Sequence, residues 1–161
     1  MAHEIELECY TAGHSDTPPD ELFELFDSLG INLVVDVRSF PYVSHLPHYD
    51  RDRLDAALHR RGISYIWMGM QLGCLTADGR LDPIAREHES AYQQGITALM
   101  DLLPGRKVCL LSSESDWRIS HRHTLIAQTL MRYGIAVKHV EVDGSYACAQ
   151  ADLFHLDESG G

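Results

Sequence analysis

The sequence has few cations and no long hydrophobic run. Lys and Arg total 13 against 24 Asp and Glu, which gives a formal net charge of −11 at pH 7. Nonspecific binding to nucleic acid or to an anionic membrane rewards cations, so this balance argues against both partners. No apolar run is long enough to span a bilayer, and the acidic N-terminus lacks the basic and apolar regions of a signal peptide. These absences predict a cytoplasmic protein.

Metal-binding and disulfide patterns are also missing. The cysteines are Cys9, Cys74, Cys109 and Cys148, and they form no C-x-x-C pair and no zinc-like spacing. Cys9 and Cys109 fall in segments typical of strands, which predicts buried free thiols. Cys74 falls in a loop, where a thiol can react, but no pattern around it indicates this. No metal ion is predicted, and the sequence identifies no cofactor.

Alternating strand-like and helix-like segments predict an α/β fold. Strands are expected at residues 5–10, 31–37, 63–68, 108–111 and 135–142. Three helix-to-strand junctions share a Gly-Ile step, at Gly30, Gly62 and Gly134. Short connections between alternating elements predict a mainly parallel sheet of about five strands, with helices on both faces.

The length predicts one domain, residues 1–161. Its core is expected over residues 5–142. Residues 143–161 are interpreted as a polar C-terminal tail in which a few apolar side chains could dock, namely Leu153, Phe154 and Leu156.

Local signals predict where helices begin and end. The expected N-caps are Asp16 or Thr17, then Asp50, and then Asp82 with Pro83 as the first helical residue. Gly95 weakens the prediction of one unbroken helix over residues 84–103. Residues 69–81 contain glycines and are interpreted as a loop, with a lid as one possibility.

Polar side chains follow three of the predicted strands. His14 and Ser15 follow the first strand. Asp36, Arg38 and Ser39 lie at the end of the second. Ser112, Ser113 and Glu114 follow the fourth, and His121 and Arg122 begin the next helical pattern. Because ligands of open parallel sheets bind outside the carboxyl ends of the strands, we expect these side chains to form one pocket.

The residue types in this pocket favour a small anionic ligand. Arg38 and Arg122 would hold the anion, aided by a helix N-terminus. The full predicted ligand-binding set is His14, Asp36, Arg38, Ser39, Ser112, Ser113 and Arg122. Glu114 or His121 would transfer a proton, and Ser15 or Ser112 is the candidate nucleophile.

Purely structural roles are an alternative for the same residues. Asp36 and Arg38 lie two apart on a strand and share a face, so a buried ion pair that only fixes the loop is an alternative. His14 and Ser15 can equally form a turn that bonds the local backbone, and the polar loop before His121 can simply cap a helix.

Three segments together resemble the domain-of-unknown-function 488 family. They are T-x-G-H-S at residues 11–15, D-V-R-S-x-P at residues 36–41, and a strand ending C-A-E followed by C-H-R. The third segment here reads S-S-E at residues 112–114 and S-H-R at residues 120–122, so Ser112 and Ser120 replace both thiols. The similarity covers most of residues 5–142. The family implies no settled activity, and a further similarity to rhodanese domains concerns the fold only.

Three functions follow from these observations. The first is an enzyme that acts on a small anionic substrate. The second is a non-catalytic module that senses such a ligand, which the loss of both family thiols favours. The third is a nucleic-acid-associated protein that uses Arg51, Arg53, Arg60 and Arg61, and the net charge makes it the least favoured. The ligand and the oligomeric state are not specified by the sequence.

Overall fold

The computed structural model describes residues 6–151. They form one mixed sheet with helices on both faces. Its strands are β1 Glu8–Gly13, β2 Leu33–Asp36, β3 Ser64–Trp67, β4 Val108–Ser112, β5 Ala136–Val140 and β6 Tyr146–Cys148. The α-helices are α1 Pro19–Leu29, α2 Arg51–Arg60, α3 Gly69–Leu72, α4 Pro83–His88, α5 Ser90–Leu102 and α6 Gln128–Arg132. A 3₁₀ turn spans Pro47–Tyr49, and a π-helical segment spans Arg122–Ala127. None of the helices within these residues has the length and apolar character needed to cross a membrane.

The strand order is β3-β2-β4-β1-β5-β6. The first five strands in this order are parallel, and β6 pairs with β5 in the antiparallel sense. The predicted α/β class and mainly parallel sheet are therefore confirmed. The sixth strand was not predicted, and it falls in the segment interpreted as a polar tail. A strand of three residues with exposed side chains at both ends has too little periodicity to be recognised. Ile5 and the proposed docking residues of the tail lie outside the described residues.

Side-chain alternation along the central strands divides the core into two layers. On β4, Cys109 and Leu111 join the cluster that packs against α1 and α2. Val108 and Leu110 join the cluster that packs against α5, the π-helical segment and α6. Because β4 lies between β2 and β1 and is covered on both faces, all five of its residues are buried, as expected for a central parallel strand.

Helix starts agree only in part with the predicted caps. Pro18, not Asp16 or Thr17, precedes α1, and no side chain caps this helix. The Thr17 N–H instead closes a turn to the His14 carbonyl at 2.9 Å. Asp50 does precede α2, but its carboxylate accepts from the Val43 N–H at 3.1 Å and not from the helix. The Asp82 cap is confirmed by a 3.1 Å bond from the N–H of Ala85.

The long helical pattern between residues 84 and 103 breaks at Glu89 and not at Gly95. The extended backbone of Glu89 separates α4 from α5, and its carboxylate accepts from the Ala77 N–H at 2.9 Å. Gly95 lies inside α5, where an added Cβ would come within 2.6 Å of Gln71 Cβ. This glycine therefore allows α3 to pack closely against α5.

Candidate functional site

The exits of β1, β2 and β4 meet at the carboxyl edge of the sheet because β4 lies between the other two strands. Backbone bonds continue past the strand ends and join the exit loops. The His14 N–H donates to the Ser112 carbonyl at 2.9 Å, and the Ser15 N–H donates to the Ser113 carbonyl at 2.8 Å. The Val37 N–H donates to the Leu111 carbonyl at 3.0 Å. These backbone bonds fix the three exit loops relative to one another.

A cavity of about 190 Å³ lies between these loops. Its lining residues are Arg38, Ser39, Phe40, Cys74, Ser112, Ser113, Glu114, Ser120 and His121. A water molecule takes up about 30 Å³ in the liquid, so the cavity has room for a handful of waters or one small polar ion. Most of the predicted ligand-binding side chains from β2 and β4 therefore line one cleft that is open to solvent.

Arg38 lines this cavity and pairs with Asp36, which was predicted to bind the ligand but is not among the lining residues. Arg38 Nε donates to Asp36 Oδ1 at 2.8 Å and Nη2 donates to Oδ2 at 2.7 Å, so the contact is bidentate. Asp36 has no exposed surface, and Arg38 is 3% exposed. The Tyr65 hydroxyl also donates to Asp36 Oδ2, at 2.5 Å. Burial lowers the pKa of Arg38, but the bonds to Asp36 outweigh it and leave that pKa raised.

His14 supports Arg38 from behind. Its Nδ1 lies 2.7 Å from the Ser15 carbonyl and must therefore carry the proton, and its Nε2 accepts from Arg38 Nη1 at 3.3 Å. The ring stacks on Tyr49 with a centroid distance of 4.3 Å. Burial, together with the charge of Arg38, lowers the pKa of His14. The structure places His14 beside the guanidinium and not among the side chains that line the cavity.

Arg38 is not saturated by these contacts. Within residues 6–151 its bonds to Asp36 and His14 use one N–H on each of its three nitrogens. A guanidinium has five N–H groups, so Arg38 keeps at least one N–H beyond its contacts with Asp36, His14 and Tyr65. The bidentate contact with Asp36 fixes the orientation of this guanidinium, which lines the cavity.

Arg122 was predicted to hold the ligand. It lies instead beneath the loop of residues 112–120 and is not among the residues that line the cavity. It is completely buried, and its Nη atoms donate to Thr11 Oγ1 at 2.8 Å and to the Ser115 carbonyl at 2.8 Å. A further bond reaches the Glu114 carbonyl at 3.2 Å. Within the described residues its Nε has no partner and no carboxylate pairs with it. Burial lowers the pKa of Arg122. This arginine therefore shapes the loop.

The predicted proton-transfer and nucleophilic residues take different positions. Glu114 is exposed at the cavity, and His121 lines it while its Nε2 donates to the Val37 carbonyl at 3.0 Å. Burial lowers the pKa of His121 to about 4, so the ring is neutral near pH 7. Ser15 is not among the lining residues, and its hydroxyl contacts Asp16 at 3.5 Å. The structure thus brings Glu114 and His121 together and leaves Ser15 outside.

Cys74 and Phe40 line the cavity but were not among the predicted site residues. Cys74 follows α3, and its Sγ lies 3.7 Å from Ser39 Oγ. No local pattern around Cys74 indicates this contact, because it depends on how α3 packs against the exit of β2. Tyr65 was also missed, although it lies on the same face of β3 as Trp67, the residue that pairs with Asp36. That signal becomes usable only once the strand order is known.

A second buried polar cluster adjoins Arg122 on the side of β1 and β5. Thr11 Oγ1 lies 2.5 Å from His139 Nδ1, and His139 Nε2 lies 3.1 Å from His123 Nδ1. Trp117 stacks on His139 with a centroid distance of 4.7 Å. Burial and the charge of Arg122 lower the pKa of His139 to about 3. No group of three or more metal-ligating side chains occurs within the described residues.

These features define a class, an α/β protein with an arginine-containing polar cavity at the carboxyl edge of its sheet. The chain belongs to the family described as Domain of unknown function DUF488, whose model matches residues 18–129. The resemblance seen in the sequence is thereby confirmed at the level of the family. No curated protein matches the chain, and no solved structure does.

Two neutral histidines, the half-buried His121 and the buried His14, predict a loss of stability in mild acid. The pKa of His121 is lowered to about 4 from 6.5, and the pKa of His14 is also lowered. Between about pH 4 and 6.5 the unfolded chain therefore binds more protons than the folded protein. The unfolding free energy has its full value above pH 6.5 and falls as the pH drops through this range. We expect His121→Gln to reduce this slope by about 1 kcal/mol per pH unit in urea titrations.

The control for this prediction is His59→Gln, which removes an exposed imidazole from α2. A slope that changes equally in the two variants would contradict burial of His121 as the cause.

Proposed function

We propose that the cavity binds a small oxyanion of the size of sulfate, phosphate or a short carboxylate. The observation that carries this proposal is Arg38, a nearly completely buried guanidinium that lines a cavity of about 190 Å³ and whose orientation is fixed by its bidentate contact with Asp36. Arginine donors of fixed geometry match the oxygens of phosphate and carboxylate groups. The Ser39 hydroxyl supplies a further polar group on the cavity wall.

Local geometry, more than overall charge, supports this binding. Asp36 neutralises Arg38, and Glu114 adds a negative charge at the cavity. Arg122 lies under the same loop without a carboxylate partner in the described residues, so its charge adds a favourable potential from below. A small anion is then held by oriented polar groups, and hydrogen bonds to a charged acceptor are stronger than those between neutral groups. The proposal does not need a positively charged protein.

The catalytic form of the proposal assigns proton transfer to Glu114, which is the exposed carboxylate on the cavity wall. His121 orients the site through its bond to the Val37 carbonyl. Ser112 is the candidate nucleophile on the wall, in preference to Ser15 outside it. An enzyme of this kind would act on a small anionic substrate by general acid–base chemistry.

One observation favours the alternative of a non-catalytic sensing module. The Ser112 hydroxyl donates to the Glu114 carbonyl at 3.4 Å and accepts from Ser120 at 3.3 Å, so neither contact is with a base that could activate it. Nucleic-acid binding gains no such support, because Arg61 of the basic cluster is paired with Asp27 at 2.8 Å.

Thermal unfolding in the presence of sulfate tests the proposal directly. We expect the melting temperature to rise already at low millimolar sulfate, following the logarithm of concentration over Kd, and to rise less in sodium chloride of equal ionic strength. The low range is needed because concentrated sulfate stabilises folded proteins in general through its exclusion from their surface. Equal shifts in both salts in this range would mean that screening alone acts, and would refute the site.

Replacing Glu114 by Gln is expected to strengthen sulfate binding about threefold to tenfold. The change removes a negative charge from the cavity wall while keeping the side chain's shape, and like charges a few ångströms apart at a protein surface repel by about 1 kcal/mol. Calorimetric titration with sulfate measures the effect. Glu24→Gln on α1 removes the same charge away from the cavity and should leave the affinity unchanged. Weaker binding in Glu114→Gln would mean that the carboxylate takes part in holding the ligand.

A further inference from the structure

We propose that the ligand of this cavity is an aromatic organic anion, with its acidic group at Arg38 and its ring against Phe40. The inference rests on the proposed function, because it adds the body of the ligand to an anionic group that the cavity already binds. Phe40 lines the cavity together with Arg38 and Ser39, but 72% of the residue is exposed. The wall of the cleft therefore combines a buried guanidinium with an aromatic ring that is open to solvent.

Neighbouring residues fix the chain on both sides of Phe40. The Arg38 carbonyl accepts from Trp67 Nε1 at 2.8 Å. The carbonyl of the buried Pro41 accepts from the Arg51 N–H at 2.8 Å. A residue that precedes proline is also restricted to extended backbone conformations. The backbone of Phe40 is therefore in place before a ligand binds, and only the side-chain torsions remain to be fixed.

Two further exposed apolar side chains come from segments that border the cleft. Ile119 is 71% exposed and directly precedes Ser120, which lines the cavity. Met70 is 72% exposed on α3, and the first residue of this helix, Gly69, packs against the Arg38 carbonyl. A single exposed apolar residue is ordinary on a protein surface. Several of them around one cleft that also contains a charged group are typical of a site for an organic ligand.

The charges around the cleft nearly balance, so they do not favour a bare inorganic ion. Asp36 neutralises Arg38, and Glu114 on the wall opposes the charge of the buried Arg122. Oriented hydrogen bonds can select an anionic group, but each of them adds little net affinity. Contact between a ligand ring and Phe40 removes apolar surface from water, and the free energy gained in this way does not depend on charge. This contact is the reason for assigning an aromatic body.

A second cavity contains an arginine and an exposed aromatic ring but differs at the charged group. It lies between α4, α5 and α6, and its lining includes Arg132, Glu87 and Tyr133. Arg132 pairs with Glu87, so a carboxylate of the protein already occupies the place of a ligand's acidic group. In the first cavity, Asp36 pairs with Arg38 without being among the lining residues, which leaves the cleft free for an acidic group.

Two sulfonates that differ only in their apolar part test this proposal. Methanesulfonate and benzenesulfonate carry the same acidic group and the same charge, and only the second has a ring. We expect benzenesulfonate to bind about tenfold more tightly, because a well-packed aromatic pair stabilises a complex by up to about this factor. Calorimetric titration measures both dissociation constants. In competition experiments, benzenesulfonate should displace sulfate.

Variants of Phe40 identify the residue that binds the ring. Phe40→Ala should lower the tenfold preference to about twofold, whereas Phe40→Tyr keeps an aromatic ring and should retain the preference. The ratio of the two dissociation constants is compared within each variant, so a general change in stability does not affect it. Tyr133→Ala is the matched control, because it removes a ring that is 64% exposed from the second cavity and should leave the ratio unchanged.

The outcomes separate this inference from the proposed function. Equal affinities for the two sulfonates, with sulfate binding intact, would overturn the aromatic ligand and leave anion binding standing, as would benzenesulfonate that binds without displacing sulfate. Absence of binding for all three anions would overturn both proposals. A preference that survives in Phe40→Ala would overturn the role of Phe40, and its loss in Tyr133→Ala would place the ring in the second cavity. A dimer in sedimentation velocity that Phe40→Ala dissociates would also overturn the inference, because a second copy of the chain would then cover this ring.

Discussion

Replacing Arg38 by Ala is expected to lower the unfolding free energy by about 3–5 kcal/mol and to abolish the sulfate-dependent rise in melting temperature. The stability loss follows because Asp36 has no exposed surface and would keep Tyr65 as its remaining side-chain donor among the described residues. The binding loss follows because the guanidinium that lines the cavity is removed. Urea unfolding and calorimetric titration with sulfate measure the two effects.

A double variant separates these effects. Asp36→Asn combined with Arg38→Ala removes the stranded charge, so it should recover a substantial part of the lost stability while sulfate binding stays absent. Arg106→Ala removes the same charge from the loop before β4, at the opposite edge of the sheet, and should change neither property by much. Sulfate affinity that is unchanged in a folded Arg38 variant would exclude Arg38 from the site.

The ion pair at the centre of this prediction could be anticipated from local spacing. Asp36 lies in an apolar strand and Arg38 follows two residues later, so a shared face and a compensating contact were predictable without knowing the fold. The grouping of the exits of β2 and β4 was also predictable, because alternating strands and helices constrain the sheet to be mainly parallel. These are consequences of periodicity and of the cost of burying charge.

The different positions of the two arginines relative to the cavity were not predictable in this way. Arg122 and Arg38 both follow strand ends in the sequence, but Arg122 is held under the loop by Thr11 from β1 and by loop carbonyls. These partners are distant in the chain or belong to the backbone, so the spacing of side chains in the sequence does not indicate them. The same reason explains why Cys74 was not assigned to the cavity, since its place depends on the contact of Arg86 with the end of α3.

The motif glycine of residues 11–15 acquires a physical reason only in the structure, and it carries the second large prediction. Gly13 ends β1 opposite Ser112, and a Cβ added to it would lie 1.7 Å from the Glu114 carbonyl oxygen and 2.9 Å from Ser115 Cα. Both contacts are with backbone, which cannot rotate away as a flexible side chain would. Its φ is not among the positive values, so sterics and not conformational freedom require glycine at this position.

We therefore expect Gly13→Ala to lower the unfolding free energy by about 3 kcal/mol or more and to abolish sulfate binding. The loop of residues 112–115 must move away from β1, which breaks the bonds from Arg122 to the Glu114 and Ser115 carbonyls and displaces the Ser112 hydroxyl from the cavity. Urea unfolding and calorimetric titration with sulfate measure both losses.

Gly134→Ala is the matched control, because its φ of 79° is strained for alanine but no atom lies within 4 Å of the added Cβ. Its cost should be about 1 kcal/mol, with sulfate binding retained. If Gly13→Ala were no more costly than Gly134→Ala and still bound sulfate, the close approach of β1 to the loop of residues 112–115 would not be what shapes the cavity.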